Sequence, residues 1–294
     1  MQKTMLESVE HVADDVVSLV LRGDEGPLEA WEPGAHIDLA LPNWLTRQYS
    51  LCGDPGDLSA YRIAVRLDPL SRGGSEYIHW YLSPGRTLEV SSPRNHFPLV
   101  PAPEYLFLAG GIGITPIVPM LRAAVAAGAA ASLVYVGRSA STMPFAAELV
   151  ATYGERVSLF SHDRPDLASF AEFAGEVYCC GPASMLAAAE AVFPRVHAER
   201  FEPTRRVFGP DTPFEVVCAR SGSTIQVPAD ESLLDALNHA GKPVPSGCRE
   251  GVCGSCELSV LDGEPEHRDD IGAPAGRMYA CVSRASSPRL VLDV

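Results

Sequence analysis

The chain has 294 residues, 46% hydrophobic and 20% charged, enough for two or three domains that each bury a core. Its net charge of −14 argues against nucleic-acid binding, because phosphates would be repelled. No run of about 18 apolar residues is long enough to span a membrane, and the acidic start MQKTMLESVEHVADD lacks an apolar signal segment, so a cytoplasmic protein with reduced thiols is expected.

The first hundred residues carry short alternating segments with turn signals between them: VVSLVLRG, AHIDLAL, RQYSLCG and YRIAVRL. This pattern predicts strands of an antiparallel barrel. Arg47, Tyr49 and Ser50 bring a cation, an aromatic ring and a hydroxyl together on one of them. Further on, SRGGSEYIHWYL is a glycine loop opening a helix, where Gly73, Gly74 and Ser75 would offer N–H groups to a phosphate, with Arg66 or Arg72 nearby. Both motifs within one small barrel predict a flavin site.

From residue 100 the pattern changes. EYLFLAGGIGITPIVPMLRAAVAAG reads as a buried strand, a glycine loop (Gly110, Gly111, Gly113) and a helix. Thr115 is expected to cap that helix and Pro116 to occupy its first turn. Free N–H groups at such a helix start cradle phosphate, although the spacing is not G-x-G-x-x-G and no acidic residue stands at the usual ribose position. ASLVYVGRS, RVSLF and EVYCCGP read as further short buried strands, with helices in MPFAAELVATYG and ASMLAAAEAVF. Alternating strands and helices imply a parallel sheet that binds its ligand at the carboxyl ends of the strands. Cys180, Gly181 and Pro182 are expected at one such end, facing the same crevice as the Gly110 loop.

The last ninety residues contain SGCREGVCGSC, a stretch with almost no side-chain volume. Its spacing is Cys248-x4-Cys253-x2-Cys256, followed later by Cys281. Four thiolates so spaced suit a plant-type [2Fe–2S] cluster. A four-cysteine zinc site would usually show two C-x2-C pairs, and only one is present. Gly247, Gly251 and Gly254 would let the loop curl at positive φ and aim N–H groups at sulfur, with Arg249 adding positive charge. FEVVCARSGSTIQVP predicts two strands around Ser221-Gly222, SLLDALNHAG a helix, and Asp262-Gly263 a hairpin turn. A small β-grasp domain follows. Cys52, Cys179, Cys180 and Cys218 lie outside this cluster and are expected to pack as small hydrophobes. His79, His96 and His197 read as surface or packing residues.

Taken in order, R-x-Y-S, R-G-G-S, G-G-I-G-I-T-P, C-G-P and C-x4-C-x2-C…C resemble the motifs of the phthalate dioxygenase reductase family, the reductase components of Rieske-type oxygenases and demethylases. The resemblance runs along essentially the whole chain. It implies three domains: an FMN-binding barrel (1–99), an NAD-binding α/β domain (100–203) and a plant-type ferredoxin domain (204–294). It further implies FMN rather than FAD, and NADH as donor, although Arg138 and Ser139 would also suit a 2′-phosphate. Arg47, Tyr49 and Ser50 would contact the flavin, and Gly73, Gly74 and Ser75 its phosphate. Gly111, Thr115 and Cys180-Gly181-Pro182 would line the nicotinamide side, with Phe201 beside the flavin. Two electrons leave nicotinamide together and an iron–sulfur cluster takes one, so a flavin must stand between them. The same chain of carriers would also serve a haem-thiolate monooxygenase. A non-enzymatic iron–sulfur redox sensor is the other reading, and it forbids NADH oxidation.

Overall fold

The computed structural model describes residues 1–204 and 206–294. The chain divides into two compact units, Met1–Phe201 and Glu202–Val294.

The first unit begins with an antiparallel sheet of β1 (Gln2–Ala13), β2 (Val16–Gly23), β3 (Ala35–Ala40), β4 (Thr46–Ser50) and β5 (Ala60–Arg66). Helix α1 (Gly74–Tyr81) follows, and then β6 (Thr87–Val90) and β7 (Arg94–Asn95). The strand order is β4-β3-β6-β1-β2-β5, with β7 on β3. A bridge from Leu51 to Ile63 joins the two ends, so the sheet is a barrel without free edges there. Alternate residues fill it: Leu19, Leu21, Ile37, Leu39, Tyr61 and Ile63 are fully buried. The longest strand, β1, has no clear apolar alternation in sequence, because most of its residues remain at least partly exposed.

The chain then forms β8 (Glu104–Gly110), α2 (Ile114–Ala126), β9 (Ala130–Gly137), α3 (Ala146–Tyr153), β10 (Val157–Ser161), β11 (Glu176–Cys180), α4 (Ala183–Val192) and β12 (His197–Glu199). These strands make a parallel sheet in the order β10-β9-β8-β11-β12. β10, read as buried, is instead an edge strand with Leu159 well exposed. A single apolar cluster joins barrel and parallel sheet: Val16, Cys52, Ala64 and Phe97 pack with Phe107, Ile117, Met120 and Tyr135. Around it, Arg62 lies over the Phe145 ring at 4.6 Å and Arg122 pairs with Asp54 at 3.2 Å.

The second unit contains β13 (Phe214–Cys218), β14 (Ser223–Val227), α5 (Leu233–His239), β15 (Glu257–Asp262), β16 (Pro265–Glu266), β17 (Arg277–Tyr279), β18 (Arg284–Ala285) and β19 (Arg289–Leu292). Its main sheet runs β14-β13-β19-β15-β17, with β13 and β19 parallel. Leu233, Leu234 and Leu237 of α5 share the core with Phe214, Val216, Leu290 and Leu292, which is the β-grasp arrangement. The turn at Ser221-Gly222 joins β13 to β14 as expected. Asp262-Gly263 does not close a hairpin. Both edges of β15 are already taken by β17 and β19, so β16 turns away and pairs with β18.

Candidate functional site

Strand β4 sets Arg47 opposite Leu39 and Tyr49 opposite Ile37 in register. The Arg47 guanidinium donates to the Thr46 carbonyl at 2.9 Å and the Arg72 carbonyl at 3.1 Å. β4 is thereby drawn to the loop before α1. Burial pushes the Tyr49 phenol up, so it stays protonated. Ser50 is buried, and Arg66 is exposed at the end of β5. Gly73 has φ 85°, a conformation that costs glycine little. A Cβ on Gly74 would lie 2.7 Å from Arg47 Nε, so only glycine lets the helix start sit against this arginine. Ser71 Oγ accepts the N–H groups of Gly73 and Glu76 at 3.1 and 3.4 Å, and Ser75 Oγ donates to Ser71 Oγ at 3.1 Å. A polar cradle of N–H and hydroxyl groups beside an arginine fits a phosphate.

The parallel sheet brings the other two motifs together. A Cβ on Gly113 would meet the Cys180 carbonyl oxygen at 2.3 Å, and one on Gly110 would meet Pro182 Cδ at 2.6 Å. The glycine loop and the Cys180-Gly181-Pro182 turn are thus packed against each other. Gly111, at φ 54°, has open space where a side chain would project, and its carbonyl accepts from the Tyr135 hydroxyl at 3.1 Å. A glycine cradle with room beside Gly111, at the carboxyl ends of β8 and β11, fits a dinucleotide. Thr115 differs from expectation. It lies inside α2, is 2% exposed, and donates to the Ile112 carbonyl at 3.0 Å. Gly113 holds the cap position without a side-chain bond, because a tight turn of Gly111–Gly113 precedes the helix.

Cys180 is fully buried, and its Sγ lies 3.9 Å from Glu199 Oε2. Burial raises the Cys180 thiol well above its ordinary range, with the Glu199 carboxyl adding to the rise. Burial likewise lifts Glu199 to about 8. Sequence reading missed Glu199: its only signal is a charge at the end of the last strand, and the 19-residue separation from Cys180 hides the contact. Phe201 is 41% exposed. His197 packs, as expected: it stacks on Tyr178 at 4.4 Å and bonds Glu176 at 2.6 Å. His79 contacts the Val65 carbonyl at 3.0 Å.

In the second unit the loop from Cys248 gathers the four remaining thiols. The Cys248 N–H points at Cys253 Sγ at 3.5 Å, and the Glu250 N–H at Cys248 Sγ at 3.3 Å. Ser255 Oγ stands 3.2 Å from Cys253 Sγ. Left-handed backbone occurs at Arg249, Gly251 and Gly254, but not at Gly247 as expected. Arg249 is not a free charge beside the sulfurs, because it is ion-paired with Asp235 of α5. Hydrogen bonding first from Cys253, then from Cys281, pulls the Cys248 thiol far down. The same pairings push Cys253 and Cys281 up, while Cys281 pulls Cys256 down. Four sulfurs this close cannot all ionise without a positive centre among them. Among the described residues no group of three or more His, Cys, Asp or Glu side chains is placed to hold one metal ion. A [2Fe–2S] core, carried by four thiolates over two irons, asks for a different arrangement and fits this donor set. Cys52, Cys179, Cys180 and Cys218 are all buried elsewhere.

A sheet that accepts a pyridine nucleotide, a barrel that accepts a flavin and a four-thiol loop define a class: a flavin- and iron–sulfur-dependent oxidoreductase driven by NAD(H). Comparison with known proteins agrees. Residues 216–286 match the 2Fe-2S iron-sulfur cluster binding domain. The chain is 41% identical to the toluene-4-sulfonate monooxygenase system reductase subunit TsaB1 of Comamonas testosteroni, over 98% of this chain and 97% of that one. The solved phthalate dioxygenase reductase is 36% identical, with TM-score 0.73, over 99% of this chain and 97% of the other. An intact type IV self-sufficient cytochrome P450 monooxygenase is 41% identical with TM-score 0.90, and this chain spans only 41% of its length. The chain belongs to the phthalate dioxygenase reductase family. Among the described residues no helix is long and apolar enough to cross a membrane.

Proposed function

We propose that this chain draws electrons from NADH into FMN and passes them singly through a [2Fe–2S] cluster to a Rieske-type oxygenase or demethylase. When bound, the flavin supplies the exchange between a two-electron donor and the one-electron cluster. Arg47, Tyr49 and Ser50 hold the flavin, and Arg66, Gly73, Gly74 and Ser75 bind its phosphate. Gly110, Gly111, Gly113, Thr115, Gly181 and Pro182 form the nucleotide cradle, in which the buried Thr115 acts by fixing the Ile112 carbonyl. Cys180 lines the nicotinamide side, Phe201 stands beside the flavin, and Cys248, Cys253, Cys256 and Cys281 ligate iron. Residues 1–99, 100–203 and 204–294 divide these tasks.

The observation that carries the reading is the gathered set of four thiols, with N–H groups aimed at sulfur, in a chain that also holds an open glycine loop at its parallel sheet. FMN is favoured over FAD because the connection from β5 to α1 is only residues 67–73 and turns straight into one phosphate cradle. A second reading has its own support: the high TM-score to the P450 chain favours a haem-thiolate monooxygenase as partner. The test is acid release of the flavin, followed by NADH-driven reduction of a Rieske oxygenase and of a P450 haem domain by the same preparation. FMN and Rieske turnover are expected. Released FAD overturns the phosphate reading, and turnover with the haem domain alone transfers the chain to the second partner class.

A further inference from the structure

Asp269 is 6% exposed and lies outside every motif discussed above. It packs against the thiol loop: a Cβ on Gly251 would stand 3.0 Å from Asp269 Cα, and the adjacent Asp270 N–H donates to the Gly251 carbonyl at 3.1 Å. Gly251 lies between Cys248 and Cys253. One oxygen of the Asp269 carboxylate accepts the Gly272 N–H at 2.6 Å. The other is buried with no hydrogen-bond partner. The neighbouring cations are committed elsewhere. Arg206 serves the Asp269 backbone carbonyl and the Asp270 carboxylate. Arg268 serves Asp211 and Glu266. His267 Nδ1 stays 3.9 Å away, beyond hydrogen-bond reach. A buried carboxylate left half-paired is costly, so its retention asks for a reason beyond a turn contact.

We propose that Asp269 is a positioning residue for redox energy: its buried negative charge, set against Gly251 of the thiol loop, holds down the reduction potential of the cluster. The inference rests on the ligand set proposed above. Reduction places one electron, supplied from NADH along the proposed path, and hence one further negative charge beside this carboxylate. Repulsion in a poorly screened interior opposes it. Removing the charge therefore makes reduction easier.

The test is an EPR-monitored redox titration of the full-length protein carrying Asp269→Asn, which keeps an acceptor for the Gly272 N–H. The exposed Asp262→Asn serves as control. The Asn variant is expected to shift the reduction equilibrium upward at least threefold, about 30 mV for a one-electron couple, while the control stays unmoved. Iron and sulfide content are measured on the same samples, so a missing cluster in the unaltered protein condemns the ligand set and not this proposal. If Asp269→Asn fails to hold a cluster, Asp269→Ser carries the same expectation. An unchanged or lowered potential overturns the proposal. So does loss of the cluster from both variants, which would make Asp269 a support of the loop and not a tuning charge.

Discussion

The Glu199 carboxyl and the Cys180 thiol meet at the ends of β12 and β11, and their protonation ties fold stability to pH. Glu199 is raised in the folded protein to about 8, chiefly by burial, from an ordinary value near 4.5. The folded state is then the tighter proton binder, so this contribution is complete below the unfolded value and fades as pH rises through about 8. Glu199→Gln cannot ionise. Its melting temperature should fall less than that of the unaltered protein between about pH 5 and about pH 8. Equal falls in both proteins would remove Glu199 from the account. In the thiol loop, the proposed ligand Cys253 can be tested with Cys253→Ser, since a hydroxyl is a poor ligand for iron–sulfur chemistry. The variant should lose the cluster's absorbance and EPR signals and most cytochrome c reduction. NADH-to-ferricyanide activity, which needs only the flavin, should remain within about twofold, because the first unit has its own core. Retention of near-normal cytochrome c reduction without a cluster would mean that electrons leave directly from the flavin.

Elements here are held in place by contacts, and glycine matters for two separate reasons. Gly113 has an ordinary helical φ of −62°, so a side chain there offends only by striking the Cys180 carbonyl. Gly128 has φ 78° and open space, so a side chain there pays only for conformation. Gly113→Ala should destabilise by roughly 2–4 kcal/mol and weaken NADH binding, as the glycine loop is forced off the β11 turn. Gly128→Ala should cost about 1–2 kcal/mol and leave NADH binding alone. Urea unfolding and NADH titration of both variants separate the two causes. Equal effects on binding would mean that the loop contact does not shape the nucleotide cradle. The same distinction explains which elements could be read in advance. In β3 and β5 large apolar residues fall at every second position, because Ile37 and Leu39, and Tyr61, Ile63 and Val65, fill the barrel. β1 hides because its partners cover it unevenly, and β16 pairs unexpectedly because the neighbours of β15 were already chosen by distant residues.

At the scale of the molecule, the cores decide where the chain can be cut. The Glu202–Val294 unit buries Val216, Leu234, Leu237, Tyr279 and Leu290 among its own residues. The barrel and parallel sheet, by contrast, share one cluster. Exposing three large side chains from it would cost at least about 5 kcal/mol, comparable with the whole net stability of a domain. A chain ending at Phe201 should therefore fold, bind flavin and reduce ferricyanide with NADH. A chain ending at residue 99 should aggregate or expose its apolar face to a dye such as ANS. Cooperative unfolding of the 1–99 fragment would show that the shared cluster is dispensable. The proposed boundary at residue 99 would then divide tasks alone, whereas the one near residue 201 separates two compact units.

The motifs R-x-Y-S, R-G-G-S and C-x4-C-x2-C were legible from sequence because their chemistry needs particular residue types close together along the chain. Spacing alone then constrains what they can hold. The barrel, the parallel sheet and the β-grasp unit were legible as well, since the period of apolar residues reports which face of each element is buried. Contacts between distant residues were not. The seating of Gly113 on Cys180, the commitment of the Thr115 hydroxyl to Ile112, the pairing of Arg249 with Asp235, and the burial of Glu199 and Asp269 all depend on neighbours brought in by the fold. The physical reason is that a side chain's charge state and exposure depend on everything within a few ångströms of it, and one-dimensional spacing describes only the neighbours along the chain.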